Sequence, residues 1–201
     1  MVFNPCKAWD FMPELTLDNQ EIEMVEEMRL LGVVITSDMK WASNTEQMIV
    51  KAYKRLWSLR RLKGMGATTE DLKDVYTKQV RSLLELAVPA WNGALTQSDK
   101  LDIERVQKTA LHIMLGDSYV GYRNALDDVG LESLHERRET LCLKFAKKAV
   151  KHSKHSKWFV PNARLATTRQ EQDKFCPVYA KHKRFDDSPI SYLTKLLNSD
   201  S

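Results

Sequence analysis

One stretch constrains this chain more than any other: the apolar run Leu30–Ile35, then, after Trp41, an amphipathic segment reaching Lys63. A short run rich in Val and Ile predicts a buried β-strand over Leu30–Ile35. Ser43 and Glu46 stand at capping-box spacing, which predicts a helix opening there. Met48, Ile49, Ala52, Tyr53, Leu56 and Leu59 then recur at helical spacing and form one apolar stripe. Lys51, Lys54 and Arg61 fall on the opposite side of the helical wheel, with Arg55 at its margin. Between Asn44 and Lys63 six basic residues face one acid, Glu46. A helix that is apolar on one side and cationic on the other needs a core partner and suits an anionic one.

A chain of 201 residues can bury a real core as one domain, with room for a small appendage. Its hydrophobic share of 43% and charged share of 29% are those of an ordinary globular protein. The net charge is only +4, but its sign is unevenly spread. Asp10 to Glu27 holds seven acids and no base, whereas Arg137 to Lys157 holds eight bases and one acid. Such asymmetry favours a nucleic-acid or other acidic partner over a neutral one, although a solvated charged face produces the same composition. Three scattered cysteines, Cys6, Cys142 and Cys176, argue against a disulfide framework and for a reducing compartment. No apolar run approaches the roughly 20 residues of a membrane span, and Met1 to Asp10 lacks a signal-peptide pattern. The expectation is an intracellular protein of the nucleus or cytoplasm, with no membrane partner.

Ahead of the central stretch, Pro13–Leu17 and Glu21–Val25 around Asp18-Asn19 predict a β-hairpin. Behind it, Gly64 and Gly66 break the helical pattern and Thr68 can cap a second helix. That helix carries Leu72, Val75, Tyr76, Val80, Leu83, Leu84 and Ala87 on one face, and Pro89 ends it. It should pair antiparallel with the first. Ser98 can cap a third helix, with Ile103, Val106, Ala110 and Met114 inward and Gly116 as its stop. A short helix follows over Tyr122–Val129. Ser133 and Glu136 then cap a helix with Leu134, Leu141, Cys142, Phe145 and Ala149 on one stripe, and Arg137, Lys144, Lys148 and Lys151 on the other side. Past His152 the pattern decays into an extended or loosely docked tail, closed by a short helix over Ser188–Leu197.

Most candidate sites have a plainer explanation. Gly64-x-Gly66 could cradle a phosphate, but it lacks the third glycine, the lysine and the preceding strand of a phosphate loop. His152, His155 and His182 with Cys176 could be imagined around a metal, yet they lie among lysines with no accompanying ligand motif. Cys142 reads as a packed small hydrophobe. The carboxylate pairs Asp127-Asp128 and Asp186-Asp187 read as solvated turns, the second misplaced by one residue for a polymerase metal site after Phe185. No metal or cofactor is therefore expected. The basic stripe Lys51, Lys54, Arg61 is different, because its spacing suits phosphates along a groove, although a solvated face is the commoner cause of such a stripe.

The order of short motifs from about Pro13 to Ser199 resembles the C-terminal part of the reverse transcriptase of LINE-type, non-LTR retrotransposons. Glu26-Glu27 through Leu31-Gly32-Val33, with Asp38 and Trp41, is similar to the strand that supplies the primer grip at the edge of the palm. Arg55-Leu56 to Arg60-Arg61-Leu62 resembles the thumb helix. Val80 to Glu85 with Ala87, Pro89 and Trp91 is similar to the next family segment, departing from it at Leu86 and Val88, where Tyr and Cys are usual. Glu104–Lys108 with Leu115-Gly116, Gly130-Leu131 through Ala146, and Ser188–Leu193 to Asn198 resemble the remaining segments. Asn4-Pro5-Cys6-Lys7 is similar to the segment that follows the family's catalytic Asp-Asp hairpin, so that hairpin would lie upstream of Met1.

The resemblance implies a mainly α fold: a helical thumb-like bundle preceded by a small antiparallel β element from the end of a palm. It divides the chain into a palm remnant (1–40), the thumb (41–116), a helical extension (117–157) and a basic, partly ordered tail (158–201). It implies sequence-independent grip on an RNA–DNA or DNA duplex by Lys51, Lys54, Arg55 and Arg61, with Leu31 and Gly32 near the primer end. It also implies no polymerase activity, since the metal-binding carboxylates are not among these residues. The residues alone leave two other readings open: a helical protein-interaction module that self-associates through strand 30–35, and a relic of an inserted element.

Overall fold

The computed structural model describes residues 15–162, 174–179, 181 and 183–200. Cys6, His182, the segment Asn4–Lys7 and the start of the first predicted strand at Pro13 lie outside them.

Two hairpins lead the described chain. β1 (Thr16–Leu17) and β2 (Gln20–Glu21) pair antiparallel around Asp18 and Asn19, whose φ angles are 51° and 61°. Two-residue hairpin loops require such left-handed pairs, and Asp and Asn tolerate them better than most residues. β3 (Glu27–Leu30) and β4 (Val33–Thr36) form the second hairpin, with Leu30 opposite Val33. The single strand expected over Leu30–Ile35 is therefore corrected to a reversal. The chain turns at Leu31 and Gly32, with φ of 48° and 89°, and puts Leu31 at the tip, 91% exposed. Glycine adopts that backbone freely and Leu31 only at a steric cost, so an unbroken apolar run concealed the turn.

The rest is helical. α1 (Ala42–Gly64) leads into α2 (Thr69–Val75), capped by Thr68 and Asp71 as a reciprocal box. The predicted second helix continues as a π turn over Tyr76–Arg81 and then α3 (Ser82–Leu84). It breaks at Ala87, φ 53°, and Pro89 sits in the first turn of α4 (Val88–Trp91) rather than ending its predecessor. Proline is well placed there, because that turn's N–H groups have no intrahelical acceptor. α5 (Gln97–Leu115) is capped two residues earlier than expected, by Thr96 with Asp99 instead of Ser98. α6 (Tyr122–Val129) stops at Gly130, φ 66°, and α7 (Leu134–Lys151) opens with the Ser133–Glu136 box, both as the sequence predicts. α8 (Lys183–Asp186) and α9 (Pro189–Ser199) close the described chain.

The core lies where these helices meet. Met48, Ala52, Leu56 and Leu59 of α1 join Ile103, Val106, Ala110, Leu111 and Met114 of α5 in one buried cluster. Lys63 Nζ donates to the carbonyl of Met114 at 2.6 Å, so the C-terminal ends of the two helices lie together. A cation there satisfies a free carbonyl and complements the helix dipole. Arg55 reaches the Gln79 carbonyl while Met48 and Lys51 share a cleft with Leu83 and Leu86, so α1 and the α2–α3 arm run antiparallel.

Polar side chains inside the bundle are shared between elements. Tyr76 donates to Gln107 Oε1 at 3.0 Å, and Gln107 donates to the Glu132 carbonyl at 2.8 Å. Arg138, expected only as part of a basic pair, is fully buried; its Nε donates to Asn92 Oδ1 at 3.1 Å, and Asn92 Nδ2 donates to Tyr192 at 2.8 Å. Burial lowers the Arg138 pKa and the nearby Glu104 carboxylate opposes that shift. Cys142 is buried, and burial pushes its thiol up to about 12.

Residues beyond His152 dock where they are described. Phe159 and Phe175 meet edge-on at 6.0 Å and join the core, and Asn198 exchanges hydrogen bonds of 2.9 and 3.0 Å with the backbone of Phe175. α9 rests on the turn at Asn92–Ala94, and a Cβ on Gly93 would stand 2.7 Å from that of Tyr192. Gly93→Ala should therefore cost about 1–3 kcal/mol in denaturant unfolding, as overpacking does. Gly64→Ala, with nothing within 4 Å, should be neutral or stabilising. Site-resolved alkylation should leave Cys142 unmodified in the folded chain and label it only after unfolding, since the thiolate is the reactive species.

Candidate nucleic-acid interface

The orientation of α1 is set from two sides. Its apolar stripe is held by α5, and its first turns are tied to the second hairpin. Val34 N–H donates to Asn44 Oδ1 at 3.0 Å, in a buried contact. Glu27 of β3 accepts hydrogen bonds from Ser43 Oγ and, at 2.8 Å, from Gln47 Nε2. Ser43 is thus drawn to Glu27 and does not cap the helix. Trp41 occupies the N-cap position without a side-chain bond, which corrects the predicted capping box.

The turn between β4 and α1 is stiffened by Asp38. Its carboxylate accepts from Thr36 Oγ1 at 2.7 Å and from Lys40 N at 3.1 Å. These bonds, led by Thr36, hold the carboxyl down at about 2.

Lys54 and Arg61 are exposed, as the wheel predicts, and share that face with Trp57, which is 59% exposed. The Arg61 guanidinium lies 5.2 Å from the Trp57 ring centroid. A cation over an indole face at an exposed site is worth about 0.5–1 kcal/mol, enough to bias both side chains toward one arrangement. Tyr53, assigned from sequence to the apolar stripe, is 39% exposed beside them. The signal lay in the sequence as Tyr53, Lys54, Trp57 and Arg61, but Tyr53 was counted with the apolar stripe and Trp57 was not singled out.

The other expected residues fare differently. Lys51 is half-buried and lines the cleft between the hairpin and the α2–α3 arm, with Gly32, Val34, Asn44 and Leu86. Arg55 points along the helix flank and gives its guanidinium to the Gln79 carbonyl of the π turn. Gly32 lies against Leu86, 3.1 Å from where its Cβ would be, and Leu31 projects from the hairpin tip. The structure brings Lys54, Trp57 and Arg61 together, places Lys51 at the same helix's cleft side, and engages Arg55 internally.

Electrostatics sharpen the contrast. Among the described residues the ion pairs fall elsewhere, for example Arg137 and Arg81 on Glu85 and Lys147 on Asp200, and none engages a cation of α1. No group of three or more His, Cys, Asp or Glu among those residues could hold a metal ion, and no helix there is long and apolar enough to cross a membrane. A scan against protein-family models found no match, and neither did searches of curated proteins and of solved structures.

Asp38 yields a test by pH. Its folded pKa of about 2 lies below the ordinary 3.8, so its contribution is complete above that ordinary value and fades as pH falls through about 2. Asp38→Asn should lower the urea midpoint at pH 7, and the gap from the parent should shrink steadily between pH 4 and pH 2. A gap that stays constant would remove Asp38 from the account.

Proposed function

We propose that this chain is a non-catalytic nucleic-acid-binding piece of a reverse-transcriptase-like polymerase, gripping a template–primer duplex through the backbone phosphates. The observation that carries this reading is the outer face of α1, where Lys54, Trp57 and Arg61 stand exposed and unneutralised on a rigidly seated helix. The order of family-like motifs supports it independently. Phosphate contacts of this kind position a duplex without reading its sequence, and phosphoryl transfer would need carboxylate-held metal ions supplied from elsewhere. Arg55 is subtracted from the expected contact set because its guanidinium already has an acceptor. Lys51 is subtracted as well, because it is half-buried on the cleft side of α1, and Lys54 and Arg61 then leave about two contacts.

Two contacts predict a log–log salt slope of about −1.8 for a DNA duplex, measurable by fluorescence anisotropy. Lys54→Glu and Arg61→Glu together should abolish that binding without unfolding the chain, because exposed charges of this kind each move stability by only about 0.5 kcal/mol. Unchanged binding would clear the face of a role. Primer extension by the purified chain would overturn its non-catalytic part.

A second reading rests on the hairpins. Leu17, Leu30 and Leu31 are 67%, 49% and 91% exposed, and β3 pairs on one side only. Such an edge suits pairing with a second copy. A concentration-dependent shift in size-exclusion chromatography, lost in Leu30→Lys, would favour it; a constant monomer would dismiss it.

A further inference from the structure

We infer that the segment just past α7 carries a second nucleic-acid surface, one that takes an unpaired strand by stacking a base on His152. The sequence from Lys151 to Trp158 repeats Lys-His-Ser with a period of three and ends by placing Trp158 where the next histidine would fall. The backbone follows that period only beyond His152, which is itself extended with ψ 126°. His155 N–H donates to the His152 carbonyl at 3.0 Å, Trp158 N–H donates to that of His155 at 3.0 Å, and Ser156–Trp158 is a 3₁₀ turn. With three residues per turn, side chains at i and i+3 eclipse one another.

The segment carries two sets of side chains. In one, the rings of His152 and His155 stack at 4.4 Å with planes 22° apart, and those of His155 and Trp158 do the same. In the other, Lys151, Lys154 and Lys157 are all exposed. Lys144 and Lys148 extend the cationic row back along α7, while Lys147 is paired with Asp200 at 2.6 Å.

The ring column has a closed end and an open one. Trp158 is half-buried and packs against the core, His155 is half-buried, and His152 is exposed. Near-parallel rings present faces to one another, an arrangement for stacking; the two imidazoles do not converge on a shared ion. A base can continue the column on His152 while its phosphates meet the lysines. Ring-and-cation platforms of this kind hold single strands with little sequence preference, because every base has a π face. A duplex offers no free base face along its length, which separates this surface from the outer face of α1.

The test is anisotropy with a labelled 12-mer of dT, an abasic 12-mer carrying the same phosphates, and a DNA duplex, using the full chain throughout. The dT strand should bind about tenfold tighter than the abasic one, the size of one stacked base, with a salt slope of about −2 from three lysines. His152→Ala should bring dT binding down to the abasic level, and His152→Phe should restore the difference. Lys151→Glu, Lys154→Glu and Lys157→Glu together should remove both. Lys54→Glu with Arg61→Glu should leave strand binding intact, so that failure of the duplex reading and failure of this one are told apart. Equal affinity for dT and abasic strands, indifference to His152→Ala, or no strand binding at all would overturn the inference.

Discussion

The packing of α1 on α5 is the contact on which the other features depend. Leu56 and Leu59 are fully buried there, and removing either side chain to Ala would cost about 2–5 kcal/mol. That is an order of magnitude more than any single cation on the opposite face contributes to stability. The core therefore decides the rotation of the helix, and the charges accept the side they are given. Once the stripe from Met48 to Leu59 is inward, Lys54, Trp57 and Arg61 have nowhere to go but solvent. Lys63, one turn further on, is captured by the end of α5. The exposed cationic face, the proposed binding face, is thus a consequence of apolar burial, held in register by Asn44 and by Glu27 at the other end of the helix.

Buried polar groups perform a related task deeper in the bundle. Asn92 stands between Arg138 of α7 and Tyr192 of α9, and Glu104 of α5 accepts from Tyr122 and from the first N–H groups of α7. An acid at that helix end offsets the dipole and the free donors together. Most of these groups are paired; Arg138 Nη1 and Nη2 are buried without a hydrogen-bond partner among the described residues. A buried polar group left alone is costly, which favours this arrangement of the helices. This specifies how α5, α7 and α9 meet more narrowly than apolar contact would.

What the sequence made legible follows from the range of the interactions involved. α6 and α7 were readable because their caps and stops are local: Gly130 in a left-handed turn, and Ser133 with Glu136 three residues on. The inward face of α5 came from periodicity, whereas the mainly helical class is what the resemblance implies. Ser43 was misread because its hydroxyl answers to Glu27, which is distant in sequence, and Ser98 because Thr96 with Asp99 made the better reciprocal pair. The π turn at Tyr76–Arg81 has no pattern that announces it. Arg138 was counted only as one of the bases between Arg137 and Lys157, and the fold shows Asn92 beside it. In the candidate site, Lys54 and Arg61 were legible from the wheel. Arg55 was not, because a carbonyl on another helix decides its direction. The Lys-His-Ser triplets were visible as letters, but their meaning required a backbone that repeats every three residues.

The central claim is that a duplex lies along the outer face of α1, and the tryptophans report on it directly. Five indole N–H resonances should be resolvable by NMR, one for each tryptophan in the chain. Addition of a short DNA duplex should move the Trp57 resonance most, with Trp91, fully buried in the core, unmoved. A Trp57 signal that stays in place while the duplex binds would contradict the account.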